Sequence, residues 1–131
     1  MAEENVEIVR SAFEAIVRGD VATFLDALDP DIEWKQVEEP QARHGRTGVE
    51  EGIAQWVDIW ENPRFEAEEY IDGGEHVILL MRLTGRGKES GADVSMSSYH
   101  CFTVRRGKIV RMYEFGPGKR AEALEAAGLS E

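Results

Sequence analysis

Two ionisable side chains in the last third of the chain, His100 and Glu114, have types and spacing suited to acid–base chemistry. They lie on two segments of twofold alternation, the signature of half-buried strands. From Val94 to Val104 one face presents Met96, Ser98, His100, Phe102 and Val104, and the other Ser95, Ser97, Tyr99, Cys101 and Thr103. From Ile109 to Phe115 one face presents Val110, Met112 and Glu114, and the other Ile109, Arg111, Tyr113 and Phe115. Arg105-Arg106-Gly107 joins the two. Glycine in third place favours a three-residue loop with Gly107 in a left-handed bulge position. That loop pairs Val104 with Lys108, Phe102 with Val110, His100 with Met112 and Ser98 with Glu114. His100 and Glu114 then share the more apolar face as diagonal neighbours, roughly 7–8 Å apart between backbones. A two-residue loop slips the pairing by one, putting His100 opposite Tyr113 and on the other side from Glu114.

On a shared apolar face, burial disfavours charge on both groups and mutual attraction favours it. Either balance can hold a proton donor or acceptor ready near neutral pH, as general acid–base catalysis requires. A mostly apolar cavity with a few convergent polar groups is also the usual form of a small-molecule site. The competing structural reading is a satisfied core histidine, with Glu114 near a strand end and facing water. Candidate lining residues are Trp34, Trp56, Trp60, Phe13, Met96, Ser98, Phe102 and Met112, although helical spacing makes Trp56 and Trp60 core residues first. Arg82 interrupts an apolar strand and needs a partner. A structural ion pair is the stronger expectation for it and capture of a substrate anion the weaker. His44, in a polar loop, and His76, beside a turn, are expected to face solvent. Three scattered histidines without ligand spacing give no metal site, and no cofactor is expected.

The elements that must position these residues form an α+β pattern. A first helix runs from about Asn5 to Arg18, with Val6, Val9, Phe13, Ile16 and Val17 on one stripe and Gly19 as its stop. Asp20 caps a second, shorter helix bearing Phe24, Leu25 and Leu28. Ile32–Lys35 reads as a short strand, followed by a polar loop from Gln36 to Arg46 in which Pro40 and Gly45 forbid regular structure. Thr47-Gly48-Val49-Glu50 has the form of a capping box and opens a third helix carrying Val49, Ile53, Trp56, Val57 and Trp60, closed by Asn62-Pro63. From Arg64 the period becomes twofold, with Phe65, Ala67 and Ile71 on one face and a turn at Asp72-Gly73-Gly74. Val77–Leu83 reads as a central strand covered on both sides. After the last strand, Lys119–Ala127 forms a short helix stopped by Gly128.

The 131 residues fit one domain, residues 1–131. A net charge of −11, from 26 acidic and 15 basic side chains, argues against nucleic acid and anionic membrane as partners. No apolar run approaches the roughly 20 residues needed to span a bilayer. The acidic N-terminus lacks the basic and apolar regions of a signal peptide, so the expected compartment is the cytoplasm. Cys101, the one cysteine, allows no intrachain disulfide and reads as a core or interface residue.

The order of these elements, with Asp29-Pro30-Asp31-Ile32-Glu33-Trp34, Gly48-Val49 and Gly107-Lys108-Ile109-Val110, resembles the SnoaL-like branch of the nuclear-transport-factor-two-like superfamily over nearly the whole chain. The resemblance implies a cone-shaped, curved antiparallel sheet, a half-open barrel whose concave face is closed by the three N-terminal helices over an apolar pocket, and commonly a homodimer. The family's polyketide cyclases carry an acid one position after an aromatic in the last strand. Tyr113-Glu114 matches that place, with Glu for the usual Asp, and His100 matches their pocket histidine. Sites like those of limonene epoxide hydrolase, ketosteroid isomerase or scytalone dehydratase fit less well. Arg82-Leu83-Thr84 lacks the acid of the first, Phe13 and Trp34 stand about where the second needs a tyrosine and an aspartate, and only His100 serves the third.

Two functions follow as expectations. One is an isomerase or cyclase acting on a small apolar carbonyl compound, with Glu114 as base and His100 binding the oxyanion. The other is a non-catalytic ligand-binding or dimerisation module, favoured by the replaced Asp. The face bearing Tyr99, Cys101, Arg111 and Tyr113 is the expected dimer contact.

Overall fold

The computed structural model describes residues 2–36 and 41–129. Its elements are α1 (Ala2–Val17), α2 (Val21–Asp26), β1 (Leu28–Lys35), β2 (Arg43–His44), α3 (Gly45–Val57), β3 (Trp60–Gly73), β4 (His76–Gly87), β5 (Asp93–Arg105), β6 (Lys108–Phe115) and α4 (Arg120–Ala126). The strands form one sheet in the order β2-β1-β6-β5-β4-β3. All neighbours are antiparallel except β1 and β6, which run parallel. The expected antiparallel sheet is therefore mostly so, and the β5–β6 hairpin lies inside the sheet rather than at its edge.

The amphipathic stripe of α1 explains its place. Val9, Ala12 and Ala15 are buried in one core with Phe24, Leu28, Ile32, Trp34, Val49 and the residues Val77, Leu79, Met81, Phe102, Val104, Ile109 and Met112 of the sheet. Burial of aliphatic side chains on this scale is the main source of stability. Gly19, at φ +84°, ends the helix in the left-handed conformation, and Asp20 accepts a hydrogen bond from the Thr23 backbone N–H to start α2. A second cluster, Ile78, Cys101, Ala123, Leu124 and Ala127, lies on the other side of the sheet beneath α4. β4 is thus covered on both faces, as its apolar run implies.

Several local expectations are overturned. Thr47 does not cap α3. The helix begins at Gly45 with His44 at the cap position and no side-chain cap bond. Arg43 and His44 pair with Trp34 and Glu33 as a short edge strand within the expected loop. Pro40 lies outside the described residues. Trp60 opens β3 instead of ending α3, and Asn62-Pro63 falls inside the strand at an irregularity between Glu61 and Arg64, with Asn62 at φ +51°. A second irregularity between Ala67 and Glu69 turns the strand over. Phe65 and Tyr70 therefore pack on the main core while Ile71 packs under α4, so Ile71 does not share a face with Phe65 and Ala67.

The closing hairpin adopts neither sequence-based register. Arg105 pairs with Lys108, so the loop is Arg106-Gly107, and both residues have positive φ, +54° and +76°. Such turns match the twist of a hairpin and favour Asn-Gly, a signal that Arg-Gly does not give. The register then shifts between Thr103 and Val104, leaving Val110 as the extra residue, since Val104 pairs with Ile109 but Thr103 with Arg111. The bulge adds a second one-residue shift in the same direction as the turn's, and two such shifts return His100 and Glu114 to a shared face. Arginine in the left-handed region is unfavourable by about 1 kcal/mol, so Arg106→Asn should stabilise the protein by about 0.5–1 kcal/mol. A higher urea midpoint with an unchanged slope would show it, and a lower midpoint would contradict the turn assignment.

Candidate functional site

Beyond the Val110 bulge the ladder reads Phe102↔Met112, Cys101↔Tyr113 and His100↔Glu114. His100 and Glu114 are therefore directly opposite, closer than the diagonal pairing expected, and on the face that carries the main core. β4 places Leu79 beside His100 and Met81 beside Ser98, and β1 places Trp34 beside Met112. Parallel pairing of β1 with β6 is thus what carries Trp34 to the acid.

Three polar contacts define the site. The Glu114 carboxylate lies with Oε2 3.8 Å from His100 Nδ1, and the two side chains keep 18% and 14% of their exposure, so both are sheltered but reachable. Trp34 Nε1 donates to the same Oε2 at 2.5 Å. His100 Nε2 lies 2.9 Å from Ser98 Oγ, and its ring stacks on Phe102 with centroids 6.4 Å apart. Burial pushes the His100 imidazole below its ordinary value, and the Glu114 carboxylate opposes that shift without cancelling it. His100 is therefore neutral at pH 7. The adjacent carboxylate favours a proton on Nδ1, which leaves Nε2 to accept from the Ser98 hydroxyl.

The structure thus brings together Glu114, His100, Ser98, Trp34, Phe102 and Met112. Met96 lies farther along the same face, opposite Leu83. Trp56 and Trp60 gather apart from the pair, edge to face at 6.1 Å, with Trp56 against Phe65 at 5.4 Å. Phe13 packs on the core from α1 and lines an open depression with Arg10, Glu14, Glu66 and Tyr70. Arg82 faces the opposite side of the sheet. It bonds Ser95 Oγ at 3.0 Å and lies 3.5 Å from Glu68, so it is a surface ion pair and not a lining residue. His44 is exposed, whereas His76 is half-buried and shares a 2.9 Å hydrogen bond with Thr103 Oγ1, contrary to expectation.

Two contributors escaped the sequence reading. Gly52 in α3 is buried against Trp34: a Cβ there would lie 2.6 Å from Trp34 Cζ3 and 2.8 Å from Arg43 Nε. Glycine is what lets the Cζ3 edge of the indole approach the helix this closely. A glycine well inside a helical pattern was the available signal. Arg43, beside Trp34 on β2, gave none because it lay in an apparent loop.

On the other face, burial pushes the Cys101 thiol up to about 11, and α4 covers Cys101 while Tyr99 packs against the same cluster. That part of the expected dimer contact is occupied by the chain's own helix. Arg111 and Tyr113 remain beside Glu33, the Tyr113 hydroxyl donating to its carboxylate at 3.0 Å. Among the described residues no helix is long and apolar enough to cross a membrane, and no group of three or more acidic, histidine or cysteine side chains is arranged to hold a metal ion.

A family model described as a SnoaL-like domain matches residues 9–112, a span that includes Trp34, Ser98 and His100 and stops just before Glu114. No curated protein matches the sequence. Solved structures similar to this one include a candidate SnoaL-like polyketide cyclase from Jannaschia sp. CCS1, at TM-score 0.80 and 21% identity, covering 87% of this chain and 85% of that one. A protein of ketosteroid-isomerase-like fold from Catenulispora acidiphila, solved with trimethylamine, has TM-score 0.74 and 16% identity, covering 94% and 93%. TerC, co-crystallised with polyporic acid, has TM-score 0.75 and 21% identity, covering 86% and 91%. At these identities the likeness establishes the fold.

Proposed function

The chain belongs to the SnoaL-like domain family, and on that premise we propose that it binds a small, mostly apolar carbonyl compound and moves a proton on it, as an isomerase or cyclase. The observation that carries this reading is the His100–Glu114 pair, held opposite one another on the sheltered face with Trp34 fixing the carboxylate. Glu114 takes a proton from the carbon next to the carbonyl, and the electron pair passes into an enolate. The Nδ1–H of neutral His100 donates to the developing oxyanion. Isomerisation returns the proton from Glu114 to a different carbon. In intramolecular aldol closure the enolate carbon attacks a second carbonyl, and the proton ends on the new alkoxide. Trp34 and Ser98 are positioning residues, one for the carboxylate and one for the imidazole tautomer. Related folds solved with small molecules support a ligand-binding role. A homodimer is part of the proposal, with α4 and the sheet face bearing Arg111 and Tyr113 as its nearest surfaces.

The alternative, a binding or dimerisation module without catalysis, draws support from the surface. The described depressions lie along α1 and β3 and around Glu61, Arg86 and Asp93, away from the pair.

Titration of His100 by NMR distinguishes the two. It should titrate below 6.5, the ordinary histidine value, and lower still in Glu114→Gln, because the carboxylate is what raises it. A solvent-like value indifferent to that change would favour the inert module. The same depression has a sign for stability. The unfolded chain binds this proton more readily, so the contribution is full above about pH 6.5 and is lost as pH falls through the folded value. One proton limits the slope to about 1.4 kcal/mol per pH unit, and His100→Gln should remove that part of the acid sensitivity.

A further inference from the structure

Arg43 is held by neutral side chains within an acidic chain. Arg82, Arg105, Arg111 and Arg120 each lie against a carboxylate, and Arg46 and Arg86 donate to the backbone carbonyls of Leu28 and Gly91, whereas the acceptors of Arg43 are two neutral side-chain amides. Its Nε donates to Gln36 Oε1 and its Nη2 to Gln55 Oε1, each at 3.2 Å. A guanidinium carries five N–H donors. Both on Nη1 and one on Nη2 have no protein acceptor among the described residues. The amides fix the plane of the group without neutralising it.

Its position relates it to the acid–base pair. Arg43 is the ladder partner of Trp34, so the two side chains leave the sheet on the same face. The Cζ3 edge of the indole and Arg43 Nε both lie against the bare Cα of Gly52, and the opposite edge of the same ring, Nε1, is bonded to Glu114. One indole width therefore separates a fixed cation at the rim of the sheet, with no carboxylate partner among the described residues, from the carboxylate within it. We propose that Arg43 determines substrate class: the compound whose carbonyl lies at His100 and Glu114 carries a carboxylate that Arg43 binds. This rests on the carbonyl-compound reading and narrows it to keto acids with an apolar body. The guanidinium fork suits two-point binding of a carboxylate, and it offsets the repulsion that Glu114 and the net charge of −11 would exert on such a substrate.

The test compares binding of 2-naphthoate and its neutral methyl ester, by equilibrium dialysis, to the full chain. Wild type should hold the acid at least ~10-fold more tightly, the range of a charge-assisted hydrogen bond, and added salt should shrink the ratio. Arg43→Gln should abolish the preference. Arg43→Lys, which keeps the charge and guards against a folding defect, should retain part of it. Preference for the ester in wild type, failure of both probes to bind, or an unchanged ratio in Arg43→Gln would each overturn the assignment. The ratio should survive in Glu114→Gln. A loss of acid–base function would therefore be seen separately from a loss of anion recognition.

Discussion

Glu114→Gln should slow exchange of the α-protons of a bound apolar ketone by ~10²–10⁴-fold, the contribution typical of a positioned general base. With 2-tetralone as probe, the loss of its α-CH₂ signal in heavy water reports the step directly, without knowledge of the natural substrate. Glutamine has nearly the same shape, and its amide oxygen can still accept from Trp34 Nε1, which now bonds Glu114 Oε2 at 2.5 Å. The variant should therefore keep the fold and most of the binding, and lose the lone pair that accepts the proton. In the native site Oε2 is the oxygen bonded by Trp34 and nearest His100, which leaves Oε1 to face a substrate. The reading fails if the variant exchanges as fast as wild type, and fails equally if wild type exchanges no faster than free ketone in buffer. Either result would leave the inert binding module as the better account.

Much of this arrangement was legible in the residues. Twofold alternation placed His100 and Glu114 on one face, and the helical stripe of α1 placed Val9 and Phe13 toward the core. The hairpin shows why the rest was not. Its turn, Arg106-Gly107, is the shorter of the two considered, and alone it would have parted the pair. Val110, a bulged residue, restores the shared face, and nothing in a valine between Ile109 and Arg111 announces a bulge, which is set by twist and neighbours in the sheet. The bulge also explains Ile109, expected on the face opposite Met112 yet buried in the same core. Trp60 was misplaced for a related reason. Its spacing from Trp56 is helical, but α3 ends at Val57 and tertiary pairing with Gly87 draws Trp60 into β3. Arg82 was ambiguous because its partner, Glu68, is supplied by the irregular stretch of β3. Arg43 and Gly52 belong to long-range packing of α3 on β1, which local pattern does not encode.

That packing yields the other large effect, as a contrast between two glycines of one helix. Alanine is favoured over glycine in a helix by up to about 1 kcal/mol. At Gly48 an added Cβ would meet only Arg43 Cβ, at 3.7 Å, an ordinary contact, so Gly48→Ala should stabilise by up to ~1 kcal/mol. At Gly52 the same methyl would lie 2.6 Å from Trp34 Cζ3 and 2.8 Å from Arg43 Nε, and both side chains are pinned, one by Glu114 and the other by two glutamines. Overpacking of a filled site costs about 1–3 kcal/mol. Gly52→Ala should therefore reverse the sign and destabilise by ~1–2 kcal/mol in urea unfolding. The displaced indole should also leave Glu114, so the Trp34 Nε1–H resonance, shifted downfield by its short bond to a carboxylate, should move upfield in Gly52→Ala and stay in place in Gly48→Ala. Were both variants stabilised with that resonance unmoved, Trp34 would not be wedged between α3 and the acid. The chain from Gly52 through Trp34 to Glu114, by which the proposed mechanism holds the carboxylate in place as a base, would then have no physical support.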